Sequence, residues 1–213
     1  MFTVVLTAMD AQYEFHFDDA ERWPMLKNII SFGLQLICIG VILLNTFAAP
    51  AFSENIPAKG YVFPNLTLTS PASEQERTYL GIGNADTFTI DQVKSSIMLI
   101  EVVGVYCPQC HIQFPRNNKL FKMIQQNEKL GAAVKMFAIA AGATPMETAY
   151  LKKQANIQYP VIEDPRYENH KMLGEPKTPF TMIVRNNGLI EYTHFGTFAD
   201  TGKLFSMIKQ YVK

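Results

Sequence analysis

The segment Val105-Tyr106-Cys107-Pro108-Gln109-Cys110-His111 joins a short apolar run, residues 97–103, to a stretch with helical spacing, residues 107–127. Two cysteines with two residues between them therefore lie where a predicted strand gives way to a predicted helix. A thiolate at Cys107 gains from the partial positive charge and free amides of a helix N-terminus, whereas Cys110, one turn further, is more shielded. An exposed attacking thiolate beside a resolving thiol is the arrangement that thiol–disulfide exchange requires.

Three other interpretations of the two cysteines compete with this one. A zinc site needs about four ligands, and the chain has no second cysteine pair. A purely structural disulfide would close too short a loop to remove much entropy from the unfolded chain. Cys107-Pro108-Gln109-Cys110-His111 also matches the C-x-x-C-H pattern for covalent attachment of a c-type haem, so a haem-binding electron carrier stays open as an alternative.

The composition excludes some functions but identifies none. The chain has 213 residues, of which 48% are hydrophobic, and its 19 Lys+Arg balance its 19 Asp+Glu. This hydrophobic content is typical of a globular protein, and without a basic excess nothing indicates nucleic-acid binding. Three cysteines, Cys38, Cys107 and Cys110, are too few for a fold held together by disulfides.

An uncharged stretch, residues 29–49, follows Lys27. It ends in an Ala-x-Ala pattern at Ala49 and Ala51, which is typical of a secretory signal peptide. The stretch is also close to the roughly 20 residues that span a bilayer, so a retained membrane tether through 29–49 stays open. Residues 25–51 are thus predicted to be a signal peptide or signal anchor. The rest of the chain is expected in the periplasm or on the outer face of the cytoplasmic membrane.

Two further segments flank this targeting stretch. Residues 1–24 are acidic and do not resemble the positive start of a signal peptide, so we expect the true start at Met25, with a short cytoplasmic tail as the alternative. Residues 52–73 are rich in Pro, Asn, Ser and Thr and are predicted to form a linker leading into irregular structure. Residues 74–213 form the predicted folded domain.

The periodicity of residues 74–213 predicts strand, helix, strand, helix, strand, helix, hairpin and helix. This order defines an α/β fold with a mixed central sheet, in which parallel crossovers come first and an antiparallel hairpin comes last. The dipeptide Asn187-Gly188 is a strong signal for the hairpin turn. The predicted strands are 97–103, 133–141, 159–163, 180–184 and 190–195, and the predicted helices are 107–127, 146–156, 167–173 and 203–212.

Five further features surround the cysteine pair. They are Glu101 six residues before Cys107, Tyr106 directly before it, Pro115 five residues after Cys110, Thr178-Pro179-Phe180 before an apolar strand, and the hairpin 185–190 followed by Gly196. In this order around a C-x-x-C they resemble the thioredoxin superfamily, and the resemblance extends over about residues 63–213.

Within that superfamily the chain looks like the redoxin or TlpA-like branch of exported thiol–disulfide oxidoreductases. Residues 138–174 are longer than the same part of a minimal thioredoxin and supply an inserted helix and strand, as in that branch. Glu101 departs from the branch, many of whose members have a neutral residue there. A peroxiredoxin-like thiol peroxidase is a weaker alternative, because Ile100 and Gly104 stand where that family has its Pro and its Thr or Ser.

The resemblance implies a thiol–disulfide oxidoreductase with a redox-active Cys107–Cys110 pair and no other cofactor or metal. Cys107 would attack a disulfide of a client protein, and Cys110 would resolve the mixed disulfide. Glu101 would accept the proton of Cys110, since its place inside an apolar strand predicts a pKa raised by desolvation. The branch favours the reductase direction, in which a membrane electron donor re-reduces the pair.

The resemblance also implies a substrate groove beside the cysteines. Pro179 is expected in the cis form, where it would hold the facing loop and present backbone groups of Thr178 to an extended substrate. Residues flanking the thiols are expected to contact the substrate as well; these are Tyr106, Pro108 and Gln109. A redox-inert binding module built on the same fold remains as an alternative of another class.

Overall fold

The computed structural model describes residues 56–212. The predicted extension 1–24, the signal peptide or anchor 25–51 and Cys38 lie outside the described residues. Among residues 56–212, no helix is both long enough and apolar enough to cross a membrane.

From Ile97 onward the strands and helices follow the order that the sequence predicts, with one further short helix, and two short strands and a short α-helix precede them. The strands are β1 (Leu68–Thr69), β2 (Thr87–Phe88), β3 (Ile97–Val103), β4 (Val134–Ala141), β5 (Val161–Asp164), β6 (Phe180–Arg185) and β7 (Ile190–Phe195). The helices are α1 (Glu74–Leu80), α2 (Pro108–Gln125), α3 (Glu128–Ala133), α4 (Pro145–Gln154), α5 (Glu168–Met172) and α6 (Thr201–Tyr211).

Five strands form one mixed sheet in the order β5-β4-β3-β6-β7. The pairs β3–β4 and β4–β5 are parallel, whereas β6 runs antiparallel to β3 and β7 antiparallel to β6. This confirms the predicted α/β architecture with its inserted helix and strand, α4 and β5. Every residue of β3 is buried, because the strand lies at the centre of the sheet with side chains packed on both faces.

Alternation along β3 separates two apolar layers. Leu99 and Val103 contribute to the layer that includes α2 and α6, and Ile100 and Val102 to the layer on the opposite face. Since successive side chains point to opposite faces, Glu101 shares the face of Leu99 and Val103. The one carboxylate of the central strand therefore lies beneath α2.

The structure differs from the predicted elements in three places. The helix predicted over 107–127 ends at Gln125, and Asn127 starts a second helix, α3, by accepting a hydrogen bond from the Leu130 amide at 3.0 Å. The helix α1 and the two-stranded ribbon β1–β2 are additional, and both are too short to leave a periodic signal. The helical spacing of the apolar residues in 107–127 predicts Ile112 on the buried face of the helix, but its side chain is 51% exposed.

Part of the segment predicted as a linker belongs to the folded core. Phe63, Leu66 and Leu68 are buried in the layer that covers one face of the sheet. The Phe63 amide also donates a hydrogen bond to the Gly188 carbonyl at 2.8 Å, which ties this segment to the hairpin turn. The domain therefore includes residues from at least Phe63 onward.

We expect Leu66→Ala to lower the free energy of unfolding by about 2–5 kcal/mol, because it leaves a cavity in a packed layer. Leu66 is 0% exposed, whereas Val62, four residues earlier, is 72% exposed. Val62→Ala is therefore the matched control and should change stability by no more than about 0.5 kcal/mol. Urea denaturation followed by circular dichroism measures both. Equal, small effects would mean that the segment does not contribute to the core.

Candidate active site

The N-terminus of α2 places the two cysteines in different environments. Cys107 is the N-cap residue, and its Sγ accepts a hydrogen bond from the Cys110 amide at 3.2 Å. Pro108 occupies the first helical position, where its missing N–H costs nothing. Cys107 is partly exposed, whereas Cys110 is 0% exposed. Only the first of the two thiols can therefore meet a large substrate.

The loop before β6 faces Cys107. The Thr178–Pro179 peptide bond is cis, and the Cys107 thiol donates to the Thr178 carbonyl at 3.5 Å. A Cβ at Gly104 would lie 3.4 Å from the Cys107 Cβ and 3.6 Å from the Thr178 Oγ1, so the three chain segments meet closely. The structure thus brings together the cysteine pair and the two residues that the sequence predicts opposite it.

Hydrogen bonds from the end of the inserted segment, residues 138–174, hold the chain that leads into this loop. Asp164, at the end of β5, accepts hydrogen bonds from the amides of Asn169 at 3.1 Å and His170 at 2.9 Å. The Nε2 of His170 lies 3.1 Å from the Pro176 carbonyl, two residues before Thr178. His170 therefore has a structural role, because it contacts the segment that leads into the loop facing Cys107.

Glu101 lies within β3, the central strand of the sheet, and is fully buried. Its Oε2 accepts a hydrogen bond from the Asn117 Nδ2, and its Oε1 accepts one from the Thr181 Oγ1 at 3.1 Å. Burial raises the pKa of Glu101 to about 7, and the hydrogen bonds from Thr181 and Asn117 oppose that rise. A carboxyl group in this range can exchange a proton near neutral pH.

Glu101 is one end of a buried polar network. Asn117 also lies 3.3 Å from the Tyr159 hydroxyl through its Nδ2, and its Oδ1 accepts from the Gln113 Nε2 at 2.8 Å. The Gln113 Oε1 in turn accepts from the Phe198 amide at 3.1 Å. The network thus runs from β3 through α2 to the loop that follows β7.

Sequence reasoning missed the helical part of this network. Gln113 and Asn117 follow Cys110 by three and seven residues, which places all three on one face of α2. Both side chains are buried. That spacing from a predicted buried cysteine was the available signal, although polar residues in a helix usually face water.

Burial raises the pKa of the Cys110 thiol, and its hydrogen bond with the Cys107 sulfur raises it further. The pKa of Tyr159 is raised well above its usual value by burial and then by the charges of Glu101 and Cys110. Asn117, on the same face of α2 as Cys110, contacts both Glu101 and the Tyr159 hydroxyl through its Nδ2. Cys110 therefore needs a proton acceptor before it can act as a nucleophile.

The residues that flank the thiols face outward. Pro108 and Gln109 are exposed, and Tyr106 is 80% exposed. The Tyr106 hydroxyl donates to the Glu147 Oε1 at 3.0 Å, which connects the cysteine loop to the inserted helix α4. These positions border the partly exposed Cys107, which is compatible with the predicted substrate contacts.

The haem alternative fits this geometry poorly. Covalent attachment needs both thiols at the haem edge, and Cys110, in the first turn of α2, is fully buried. The Nε2 of His111 lies 2.9 Å from the Val105 carbonyl, and its ring packs edge-on to Phe114 at 5.5 Å. Within residues 56–212, no group of three or more His, Cys, Asp or Glu side chains is placed to hold a metal ion.

Solved structures share this fold. One, assigned as a thiol:disulfide interchange protein DsbE from Chlorobium tepidum, is 18% identical, covers 73% of this chain and 99% of its own, and has a TM-score of 0.57. A secreted disulfide oxidoreductase from Mycobacterium tuberculosis, homologous to E. coli DsbE, is 14% identical over 68% and 96%, with a TM-score of 0.51. A thiol-disulfide isomerase from Corynebacterium glutamicum is 20% identical over 70% and 96%, with a TM-score of 0.52.

No protein-family model and no curated protein sequence matches the chain. The structural likeness confirms the predicted thioredoxin-like fold, with the inserted helix and strand. At these sequence identities it establishes the fold, and the chemistry has to be argued from the site itself.

We expect Glu101 to make stability depend on pH. Its pKa of about 7 in the folded chain exceeds that of an unfolded glutamic acid, so folding favours the protonated form. The stabilisation is complete below about pH 4 and is lost as the pH rises to about 7, by about 3 kcal/mol in total. Urea denaturation between about pH 5 and pH 8 should show this loss in the wild type and not in Glu101→Gln.

The matched control is Glu74→Gln, which changes an exposed carboxylate in the first turn of α1. It should keep the wild-type dependence on pH. A wild-type profile in Glu101→Gln would contradict the assignment of the titrating group to Glu101.

Proposed function

We propose that the protein is a thiol–disulfide oxidoreductase that reduces disulfides of client proteins outside the cytoplasm. The observation that carries this proposal is the partly exposed Cys107 at the N-terminus of α2, directly above the buried Cys110. A buried carboxyl group, Glu101, lies in the same layer with a pKa of about 7. Attack, resolution and proton transfer thus each have a residue in a suitable environment.

In the first step the Cys107 thiolate attacks one sulfur of the client disulfide. The Cys110 amide at 3.2 Å and the positive end of α2 favour the negative charge on this sulfur. A Cys107–client mixed disulfide forms, and the other client sulfur leaves as a thiolate that takes a proton from water. The outward position of Cys107 allows a protein substrate to reach it.

In the second step Cys110 attacks the Cys107 sulfur. Because burial raises the pKa of Cys110, its thiol must give up a proton, and Glu101 is the proposed acceptor. The Cys107–Cys110 disulfide forms, and the client leaves with its second sulfur reduced. Two electrons have then passed from the dithiol to the client, and a further donor must return them.

The loop of Thr178 and Pro179 is the proposed docking edge for the client backbone. The Thr178 carbonyl points to the Cys107 sulfur at 3.5 Å, so an extended segment bound along this loop would present its disulfide to Cys107. Exposed Tyr106, Pro108 and Gln109 would contact the residues beside the disulfide.

The reductase direction and the location complete the proposal. An oxidising envelope returns the pair to the disulfide, so a membrane electron donor is needed to keep it reduced. The targeting stretch 29–49 supports export, as does the fold shared with the secreted protein from Mycobacterium tuberculosis. No separate cofactor enters the proposed cycle.

The attack by Cys107 and the resolution by Cys110 can be measured separately with dithionitrobenzoate, a chromogenic aromatic disulfide that releases one coloured thiolate in each step. In a Cys38→Ser background, which removes the third thiol of the chain, the reduced protein should release two equivalents in two phases. Cys110→Ser should stop after the first and accumulate the mixed disulfide, and Cys107→Ser should release almost none from the folded protein, because Cys110 is buried. Stopped-flow absorbance and intact mass measure both.

The same preparations distinguish the alternatives. Covalent haem at unit stoichiometry, seen as Soret absorption, would favour the electron carrier. Insulin-disulfide reduction that is absent, or unchanged in Cys107→Ser, would favour a redox-inert module. A reduction potential near or below about −200 mV is expected for the reductase direction, and one near about −120 mV would indicate an oxidase.

Export is tested separately from the chemistry. A fusion of the full chain to a phosphatase that is active only with its disulfides formed should be active in bacterial cells. The same fusion lacking residues 25–51 is the control and should be inactive. Activity of both would contradict the targeting role of that stretch.

A further inference from the structure

We propose that Asn117 is a positioning residue for Glu101: its side-chain amide holds the carboxylate in the orientation in which it takes the proton of Cys110. The inference rests on the proposed function, since it concerns the same proton transfer. It adds a residue of the buried network, two turns along α2 from Cys110, to the machinery of the second step.

The two oxygens of Glu101 have one donor each, from opposite sides. The Asn117 Nδ2 approaches Oε2 from α2, and the Thr181 Oγ1 approaches Oε1 at 3.1 Å from the neighbouring strand β6. All three residues are fully buried. The carboxylate is thereby held between helix and sheet, with one protein donor on each oxygen.

The direction of the Asn117 amide follows from a chain of hydrogen bonds that starts at the backbone. The Phe198 amide can only donate, so the Gln113 atom that it meets at 3.1 Å is the oxygen. The other end of the Gln113 side chain is then the NH₂ group, which donates to the Asn117 Oδ1 at 2.8 Å. The Nδ2 of Asn117 must therefore point to Glu101.

This direction fixes what Asn117 can do for Glu101. An amide NH₂ only donates, so it favours a charged carboxylate oxygen, whereas a hydroxyl can serve either form of the acid. Thr181 and Asn117 both lower the pKa of Glu101 against the rise that burial causes. Tyr159, before β5, is the neighbouring titratable group whose pKa responds to the charge of Glu101.

The test is Asn117→Leu in the full-length chain, which keeps the side-chain volume and removes the donor. Glu101 should then hold its proton to higher pH, by about one unit. At a pH below the new midpoint of the Glu101 titration, the second phase of dithionitrobenzoate reduction should be about tenfold slower, because a smaller fraction of Glu101 is ionised. The first phase, which belongs to Cys107, should change little.

A control and a second variant separate positioning from folding. Asn118→Leu is the matched control, because Asn118 lies on the same helix and makes no hydrogen bond to Glu101. Its Nδ2 donates to the Ala155 carbonyl at 3.1 Å, and its Oδ1 accepts from the Gln158 amide at 3.3 Å. The Asn118→Leu variant should lose a comparable amount of folding stability without changing the midpoint of the Glu101 titration. Asn117→Asp keeps the shape and puts a second carboxyl beside Glu101, so it should raise the midpoint further.

A measurement that does not depend on disulfide reduction tests the positioning role of Asn117 separately from the proposed oxidoreductase function. The Glu101 carboxyl is titrated by infrared difference spectroscopy, with Glu101→Gln identifying its band. An upward shift in Asn117→Leu supports the inference even if the chain reduces no disulfide. An unchanged titration, a shift equal to that of Asn118→Leu, or a slowed second phase that persists in the Glu101→Gln background would overturn it.

Discussion

The burial of the Glu101 carboxyl at the middle of the central strand is the constraint on which the site depends. A charge in such a place is costly unless donors surround it, and here a helix and a strand each supply one. Asn117 and Thr181 offset the cost only in part, so the pKa of Glu101 stays near 7. The same partial compensation that lowers stability near neutral pH leaves the group able to exchange a proton there.

One helix, α2, carries both the cysteine pair and the side chain that holds the proposed proton acceptor. The first turn of α2 holds Cys107 at its cap and Cys110 beneath it. The next two turns carry Gln113 and Asn117, of which Asn117 donates to Glu101. Because a helix moves as a rigid body, the position of the attacking sulfur and the position of the proton acceptor are set together. The loop of Thr178, at the start of β6, completes the arrangement by facing Cys107.

The sequence was informative wherever one residue type has one dominant explanation. The C-x-x-C between a predicted strand and a predicted helix is sufficient to predict Cys107 and Cys110 as site residues. A glutamate inside an apolar strand is sufficient to predict Glu101. Asn117 was not predictable in this way, since a polar residue of a helix faces water unless a buried partner exists, and that partner is 16 residues away. Leu66 was missed because a few apolar residues in a Pro- and Asn-rich stretch resemble a linker.

The network ends on the backbone amide of Phe198, and this affects how the site responds to mutation. Every amino acid except proline supplies that N–H, so exchanges of the side chain at position 198 leave the last donor in place. The orientation of two buried amides is therefore anchored in the main chain rather than in a further side chain. A substitution at position 198 other than proline should therefore retain the polarity of the proton-accepting layer.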